Sequence, residues 1–365
     1  MKLDKQTASL FGAAAVLRLV LFTAFPTLPD TLTGRVEIST PVTSFKRLQE
    51  GLFLYNHNVS PYDGGVYHQA PLLLPFFSLL PNYSTWPIFT NIIYILVDLL
   101  SALALMKIAE SGESVSTKLY TSPRKERRWS STKIAAFFLF NPFTIATCIG
   151  RPTSVFTTCA ILHAIAKAVN GASFTSMFAL AFASYLSMYP ILLLAPLVLL
   201  CYDRRRASKV SESLTSFVFS TVPAVGGSIY ALLFMSYQIS GSWEFIPSTY
   251  GVQLLLPDLT PNVGLWWYFF IEMFDSFRSF FLGVFWLHLS SYLATSTILY
   301  ATALGPAFYY LWIYAGSGNA NFFYAITLVW SLGLSILVAD VLFAVLRDEW
   351  EVERPEMIGK EVKQI

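Results

Sequence analysis

The sequence predicts an all-α, polytopic membrane protein. Of its 365 residues, 55% are hydrophobic and only 13% are charged, and the mean hydropathy is +0.56. Soluble domains carry roughly a quarter charged residues, so this composition excludes an ordinary soluble fold. Several apolar runs are long enough to cross the hydrocarbon core of a bilayer as helices. The basic residues occur in clusters, and such clusters mark the cytoplasmic segments of membrane proteins.

The basic clusters set the predicted orientation. They are residues 1–5, the serine-rich loop 107–133, the stretch 204–209 and the tail 347–365. By the positive-inside rule all of them are cytoplasmic. The polar segments 29–70, 239–263 and 315–321 are then expected together on the far side. Residues 1–346 form a single predicted transmembrane domain, with 107–133 as a cytoplasmic loop.

The apolar runs predict the spans in chain order. The run 7–25 lacks a small-residue cleavage site, so we interpret it as a signal anchor. The run 71–80 is too short to cross. Further spans are predicted at 86–106, 217–237, 263–287, 291–314 and 322–346.

The stretch 134–200 is interrupted repeatedly by helix-breaking dipeptides. These are Asn141-Pro142, Arg151-Pro152, Asn170-Gly171 and Tyr189-Pro190. Proline and Asn-Gly end or kink helices, so runs of about 12 to 17 residues remain, near the lower limit for a span. We interpret them as short, kinked helices in two hairpins, with Thr153 and Ser154 as caps after Arg151.

Two charged residues fall near the middle of predicted spans. Arg18 lies in the first span and Asp98 in the span 86–106. An unpaired charge at that depth costs about 3 kcal/mol on insertion scales, so we predict a buried, structural ion pair. The four histidines show no metal-ligand spacing, and the three cysteines lie in apolar runs. We therefore predict neither a metal nor a cofactor.

The turn at 316–321 combines two glycines with the amides of Asn319 and Asn321 between aromatic-rich runs. Glycines permit a tight turn, and amides offer donors and acceptors without charge. Amides beside aromatic rings suit a sugar or a lipid head group. An ordinary helix–turn–helix with an aromatic belt at the membrane interface is the alternative.

That turn resembles the signature of the PIG-U family, a subunit of the GPI transamidase of the endoplasmic reticulum. Three further blocks resemble the same family, namely 35–47, 59–72 and 256–274. The similarities occur in order through most of the chain. Relatives carry more chain where this sequence passes directly through His288–Ser291. We therefore expect a missing segment of about two spans there, an even number that leaves the orientation intact.

The family architecture is similar to that of GT-C-type mannosyltransferases, with a bundle of long and short transmembrane helices. Those enzymes place acidic residues in the first lumenal loop, whereas the equivalent region of this chain, 35–40, offers only Glu37, without an Asp-x-Asp pair. The resemblance thus implies a non-catalytic subunit that binds and presents the GPI glycolipid for attachment to proteins. The alternative is an active dolichyl-phosphate-mannose-dependent mannosyltransferase with Glu37 as residual base. A purely structural subunit is a third possibility.

The resemblance also implies a binding site, partners and a location. The acyl chains are expected against an aromatic row of Trp266, Trp267, Tyr268, Phe269 and Phe270. The head group is expected near Asn319 and Asn321. Asp258 and Asn262, beside prolines, either bind the glycan or form turns. The expected partners are a PIG-K-type subunit with a Cys-His dyad and PIG-T-, PIG-S- and Gaa-type subunits, in the endoplasmic reticulum membrane. No nucleic acid is expected.

Overall fold

The computed structural model describes residues 5–111, 129–207, 213–255, 305–317, 319–354 and 356. Within these ranges the chain is predominantly helical and contains no β-strand, as the sequence predicts. It divides into two compact units. The first comprises Met1–Ser114 with Arg128–Leu254, and the second comprises Val115–Arg127 with Leu255–Ile365.

The first unit contains both long and short helices. They are α1 (Lys5–Ala24), α2 (Leu28–Thr33), α3 (Phe45–Asn56), α4 (Leu73–Ser78), α5 (Pro87–Ser111), α6 (Ser131–Leu139), α7 (Pro142–Gly150), α8 (Ser154–Val169), α9 (Ser173–Leu186), α10 (Leu194–Ala207), α11 (Leu214–Ser240) and α12 (Val252–Leu255). Among the described residues, α1, α5 and α11 are each long and apolar enough to cross a membrane. The pair α6 and α7, bent by 55°, passes the same test when taken together.

The helix boundaries follow from local sequence. Asn141 is the N-cap of α7, because its side chain accepts a hydrogen bond from the Phe143 amide. Pro142 is the first residue of α7, a position where proline is favoured. Ser44, Ser130 and Ser213 cap α3, α6 and α11 in the same way. The predicted interruptions at 141–142, 151–152, 170–171 and 189–190 all coincide with breaks between α-helices, which confirms them. Pro142 begins α7, and a 3-10 helix at Tyr189–Leu193 lies between α9 and α10.

Several connecting segments of the first unit gather at one end, here called the loop end: 25–44, 57–72, 79–86, 151–153, 187–189 and 241–254. Its segments bind one another directly. The Thr153 amide donates to the Thr43 carbonyl at 2.8 Å, and the Met188 amide donates to the Gln253 side chain at 3.1 Å. His68 Nδ1 lies 2.8 Å from the Ser248 carbonyl oxygen. The segments predicted on one side, 29–70 and the described part of 239–263, therefore meet here.

The second unit, in its described part, packs a helical turn against a long helix. A π-helical turn spans Tyr310–Tyr314, and α13 spans Ala320–Glu353. The buried Phe323 and Ile326 of α13 pack with Trp312 and other aromatic residues. At 1.5 Å per residue, the 34-residue α13 is about 51 Å long and exceeds the bilayer core of about 30 Å. The predicted span 322–346 lies within α13.

Candidate functional site

The predicted intramembrane charges meet between α1 and α5. Arg18 Nε donates to Asp98 Oδ2 at 2.9 Å, and Nη2 lies 2.8 Å from the same oxygen without hydrogen-bond alignment. Arg18 Nη1 donates to the Ala14 carbonyl at 3.2 Å. The two side chains are 0% and 6% exposed. A buried pair of this kind is costly to break, because the remaining charge has no water to solvate it.

A polar cavity of about 500 Å³ opens at the loop end, between α3 and the segment that joins α4 to α5. Its volume lies within the usual range of small-molecule sites. Half of its lining residues carry aromatic rings or neutral amides: Phe45, Phe53, Phe77, Tyr83, Gln49, Asn56 and Asn82. The imidazole of His57 and the hydroxyls of Ser78, Ser84 and Thr90 also line it. None of the described residues that line it is Lys, Arg, Asp or Glu. This lining suits a hydroxyl-rich, uncharged group, which needs both apolar faces and hydrogen-bonding partners.

An apolar groove of about 480 Å³ lies on the other side of α4. Its lining residues are all aliphatic or aromatic: Leu72, Leu73, Phe76, Ile93, Leu96, Val97, Phe156, Phe182 and Leu186. A lining without polar side chains favours a hydrocarbon chain, since burial of apolar surface is the dominant attraction available there.

Two consecutive phenylalanines of α4 separate the cavity from the groove. Phe77 lines the polar cavity, whereas Phe76 lines the apolar groove. Their ring centroids lie 5.2 Å apart, and both rings also contact Phe156. A polar compartment and an apolar compartment thus adjoin across one short helix. That arrangement matches an amphiphile with a polar head and a hydrocarbon tail.

Arg151 lies immediately behind one wall of the cavity. Its guanidinium carbon stands 4.7 Å from the Phe45 ring centroid and 4.5 Å from that of Tyr83. The residue is only 1% exposed, yet Nε and Nη1 have no hydrogen-bond partner among the described residues. Nη2 lies 3.5 Å from Asp30 Oδ1, a carboxylate that is 84% exposed. Desolvated cation–π contacts are worth about 2 kcal/mol, whereas exposed ion pairs contribute little, so the two rings are the stronger partners.

Arg151 lies between α7 and α8 and has an unusual backbone conformation. Arg151 follows the last residue of α7 with φ of 56°, in the left-handed region, and α8 begins at Ser154. The sequence predicts Thr153 and Ser154 as caps of α8. The Thr153 hydroxyl instead donates to the Thr43 carbonyl at 3.2 Å and makes no cap hydrogen bond. Thr153 thus occupies the predicted N-cap position of α8, but its side chain does not cap the helix because its hydroxyl group binds the first loop.

The first loop is fixed against the end of α7. The Thr33 hydroxyl donates to the Gly150 carbonyl at 2.7 Å. A Cβ atom added at Gly150 would stand 2.7 Å from Ile38 Cγ2, so only glycine allows this approach. Glu37 lies in the same loop and is exposed. Among the described residues, no group of three or more His, Cys, Asp or Glu side chains could hold a metal ion.

Buried tyrosines complete the loop end beside the cavity. Tyr62 donates to the Gln69 carbonyl at 3.1 Å, and its ring packs 5.4 Å from that of Tyr67. Burial is the main cause that raises the pKa of both hydroxyls well above the ordinary value, so both stay neutral at physiological pH.

A pair of carboxyl groups, Asp63 and Glu244, lies at the surface of the loop end. The hydrogen bond with Asp63 is the main cause that raises the pKa of the exposed Glu244 carboxyl, and the negative charge of Asp63 is the second cause.

Of the predicted site residues in the second unit, the structure describes only Asn319 and Asn321. Asn319 caps α13, because its side-chain oxygen accepts from the Asn321 amide at 3.0 Å. Gly316 adopts φ of 61°, as a tight turn requires. Asn319 and Asn321 are both exposed. The junction 288–291 lies outside the described residues. The other predicted contacts also lie outside them: Asp258, Asn262, Trp266, Trp267, Tyr268, Phe269 and Phe270.

Fold and site together define a polytopic helical membrane protein with adjoining polar and apolar compartments. The family described as "GPI transamidase subunit PIG-U" matches residues 12–298 and 290–330 of the chain. The chain therefore belongs to the PIG-U family of GPI transamidase subunits.

Curated relatives agree with the family match. "GPI-anchor transamidase component PIGU" of Homo sapiens is 32% identical, over 92% of this chain and 93% of the relative. "GPI transamidase component GAB1" of Saccharomyces cerevisiae is 31% identical with the same coverage. "GPI transamidase component GAB1 homolog" of Schizosaccharomyces pombe is 29% identical, over 93% of each chain.

The family match also bears on the short junction. Its two parts overlap at 290–298, beside the predicted junction at 288–291. The alignment with the human relative runs over 412 residues, more than the 365 residues of the whole chain. The relative therefore contains stretches that have no counterpart here.

Proposed function

We propose that the chain is a non-catalytic subunit of GPI transamidase that binds the GPI glycolipid and presents it for attachment to proteins. Family membership and the names of the relatives support its place in that complex. The expected setting is the endoplasmic reticulum membrane, with a PIG-K-type catalytic subunit and PIG-T-, PIG-S- and Gaa-type subunits as partners. The mannosyltransferase alternative has no support, because the relatives found are named as transamidase components.

One observation carries the binding part of this proposal: the polar cavity and the apolar groove adjoin across α4. A hydrocarbon chain fits the groove, and a sugar or inositol fits the cavity of aromatic rings and amides. The predicted contacts in 258–270 and at Asn319 and Asn321 belong to the same proposal. They would supply further surface for the same class of ligand.

The non-catalytic part of the proposal rests on residue chemistry. The region 35–40 of the first loop offers Glu37 as its one acid, at the position where related transferases carry several. Cys148 and Cys201 are buried, and Cys159 is half-buried, all three within helices of the first unit. A thiol acts as a nucleophile only when its thiolate is accessible, so burial makes these cysteines unsuited to acyl transfer.

Groove occupancy is tested by crosslinking a photoactivatable GPI lipid to the intact complex. Leu96 lines the groove and is 51% exposed, so Leu96→Trp fills the groove without overpacking a core. Leu100, one turn further along α5 and 44% exposed, does not line the groove and gives the matched control Leu100→Trp. We expect Leu96→Trp to reduce crosslinking about tenfold, equivalent to about 1.4 kcal/mol of binding free energy. Equal crosslinking in both variants would refute the groove as a lipid site.

Asn319 needs a separate test, because its cap role and a ligand contact predict different results. Asn319→Ser keeps an oxygen that accepts from the Asn321 amide but removes the amide group, whereas Asn319→Ala removes both. If Asn319 binds the glycolipid, both variants lose crosslinking. If it acts only as a cap, Asn319→Ser behaves as wild type, and Asn319→Ala loses about 1 kcal/mol of stability.

A further inference from the structure

We propose that Arg151 is a positioning residue that fixes the Phe45–Tyr83 wall of the polar cavity and thereby sets the affinity for the polar head of the lipid. The inference rests on the proposed function for its link to lipid binding. Arg151 itself is not among the residues that line the cavity, so its effect would pass through the two rings.

The three side chains form one compact cluster. The Phe45 and Tyr83 rings meet edge to face, with centroids 5.1 Å apart and an interplanar angle of 72°. The Arg151 guanidinium lies over both rings, at 4.7 Å and 4.5 Å. Phe45 begins α3, and Tyr83 belongs to the segment between α4 and α5. The guanidinium therefore ties together two chain segments that meet in one wall of the cavity.

The backbone indicates that an arginine is needed here for its side chain. A left-handed conformation at a helix end favours glycine, because other residues bring Cβ too close to the backbone. Arg151 adopts φ of 56° and also buries a charge, two unfavourable features in one residue. Strained residues persist where the surrounding structure fixes them and where the strain serves a role. Here the first loop fixes the site through Thr33 and Thr43.

The carboxylate of Asp30 does not account for the position of Arg151. Its Oδ1 lies 3.5 Å from Nη2 and is largely in solvent, where ion pairs are weak. The Phe45 ring, by contrast, is buried and the Tyr83 ring is half-buried, and the buried guanidinium lies close enough to both ring centroids for cation–π attraction. Removing Asp30 should therefore leave the wall in place, whereas removing the guanidinium should release it.

The first experiment measures lipid affinity in the intact complex by a double-mutant cycle. We expect Arg151→Met to weaken binding of the photoactivatable GPI lipid five- to tenfold, and Asp30→Asn to change it less than twofold. In a Tyr83→Ala background, Arg151→Met should add less than a twofold loss, since its effect passes through that ring. Full additivity of the two substitutions would overturn the proposal. Where Arg151→Met prevents assembly, Arg151→Lys, which keeps the charge without the flat group, replaces it in the cycle.

The second experiment measures the mobility of the Phe45–Tyr83 wall in the absence of lipid. Ser84 is exposed, lines the cavity and follows Tyr83 directly. We expect Arg151→Met to increase the rate of maleimide labelling of Ser84→Cys at least threefold, because the wall becomes mobile. An unchanged labelling rate overturns the positioning role. If the wild-type complex binds no lipid at all, the proposed function fails, and the labelling rate alone decides whether Arg151 holds the wall.

Discussion

Arg18 and Arg151 are both fully buried in the first unit, but they are stabilised in different ways. Arg18 lies between two long apolar helices and pairs with Asp98, which is itself buried. Arg151 lies at the loop end, against two aromatic rings and a carboxylate that faces solvent. Arg18 is therefore neutralised by a buried carboxylate, whereas Arg151 is stabilised by aromatic rings and only weakly by an exposed carboxylate.

The difference reflects depth within the unit. Between apolar helices no water or loop carbonyl can reach a charge, so a carboxylate on the neighbouring helix must compensate it. At the loop end, polar groups and solvent are near, and an arginine can bind aromatic rings through its flat face. The deep pair therefore stabilises the fold, and the arginine at the loop end shapes a cavity. The first three of the following predictions test this contrast.

The largest effect is expected at the deep pair. Asp98→Ala leaves Arg18 charged and unpaired, which should lower the free energy of unfolding by about 3–5 kcal/mol. Thermal unfolding of the detergent-solubilised protein measures this. The double variant Arg18→Met/Asp98→Leu should recover most of the loss, because a buried ion pair can be replaced by apolar residues of similar volume. Wild-type stability of Asp98→Ala would show that the pair does not stabilise the fold.

An intermediate effect is expected beside Arg151. Gly150→Ala brings a methyl group to 2.7 Å from Ile38 Cγ2 and 3.4 Å from Leu32 Cβ. Overpacking of this kind typically costs about 1–3 kcal/mol and would loosen the first loop. Gly226→Ala in α11 has open space around its new methyl group and serves as control. The stability difference between the two variants gives the cost; equal stabilities would mean that the loop is not tightly docked.

A smaller effect is expected at Asp30, the matched partner of Arg151. Asp30→Ala should reduce the free energy of unfolding by less than about 0.5 kcal/mol, since the carboxylate is exposed. Comparison with Asp98→Ala in the same thermal assay tests the contrast directly. A loss at Asp30 as large as that at Asp98 would mean that the carboxylate, and not the rings, stabilises Arg151.

The smallest effect concerns the surface carboxylates Asp63 and Glu244. The pKa of Glu244 is raised in the folded protein, so its ionisation opposes folding as the pH rises through that value. Below the ordinary pKa of a glutamate the opposition is absent. Glu244→Gln should therefore stabilise slightly at pH 7 and not at pH 4. Melting temperatures at both pH values measure this, and a gain only at pH 4 would reverse the assignment.

Some of these features could be predicted from the sequence because they follow from local rules. A charge in a long apolar run requires a partner, and this rule predicts the ion pair between Arg18 and Asp98. Proline and Asn-Gly end helices, which placed the boundaries between α6 and α10. The proline that follows Arg151 predicts only that a helix ends there. Its aromatic partners, Phe45 and Tyr83, are distant in sequence and have no marker that would associate them with an arginine.

Composition, apolar run length and ordered blocks of similar residues suffice to predict the all-helical membrane class, the order of the helices and the family. That Phe76 and Phe77 face two different compartments, and that Arg151 supports one wall, becomes apparent from the folded arrangement alone. Apolar periodicity reports that a side chain is buried but not against what. The partners of a buried side chain are set by how distant loops and helices dock, and no local pattern encodes that docking.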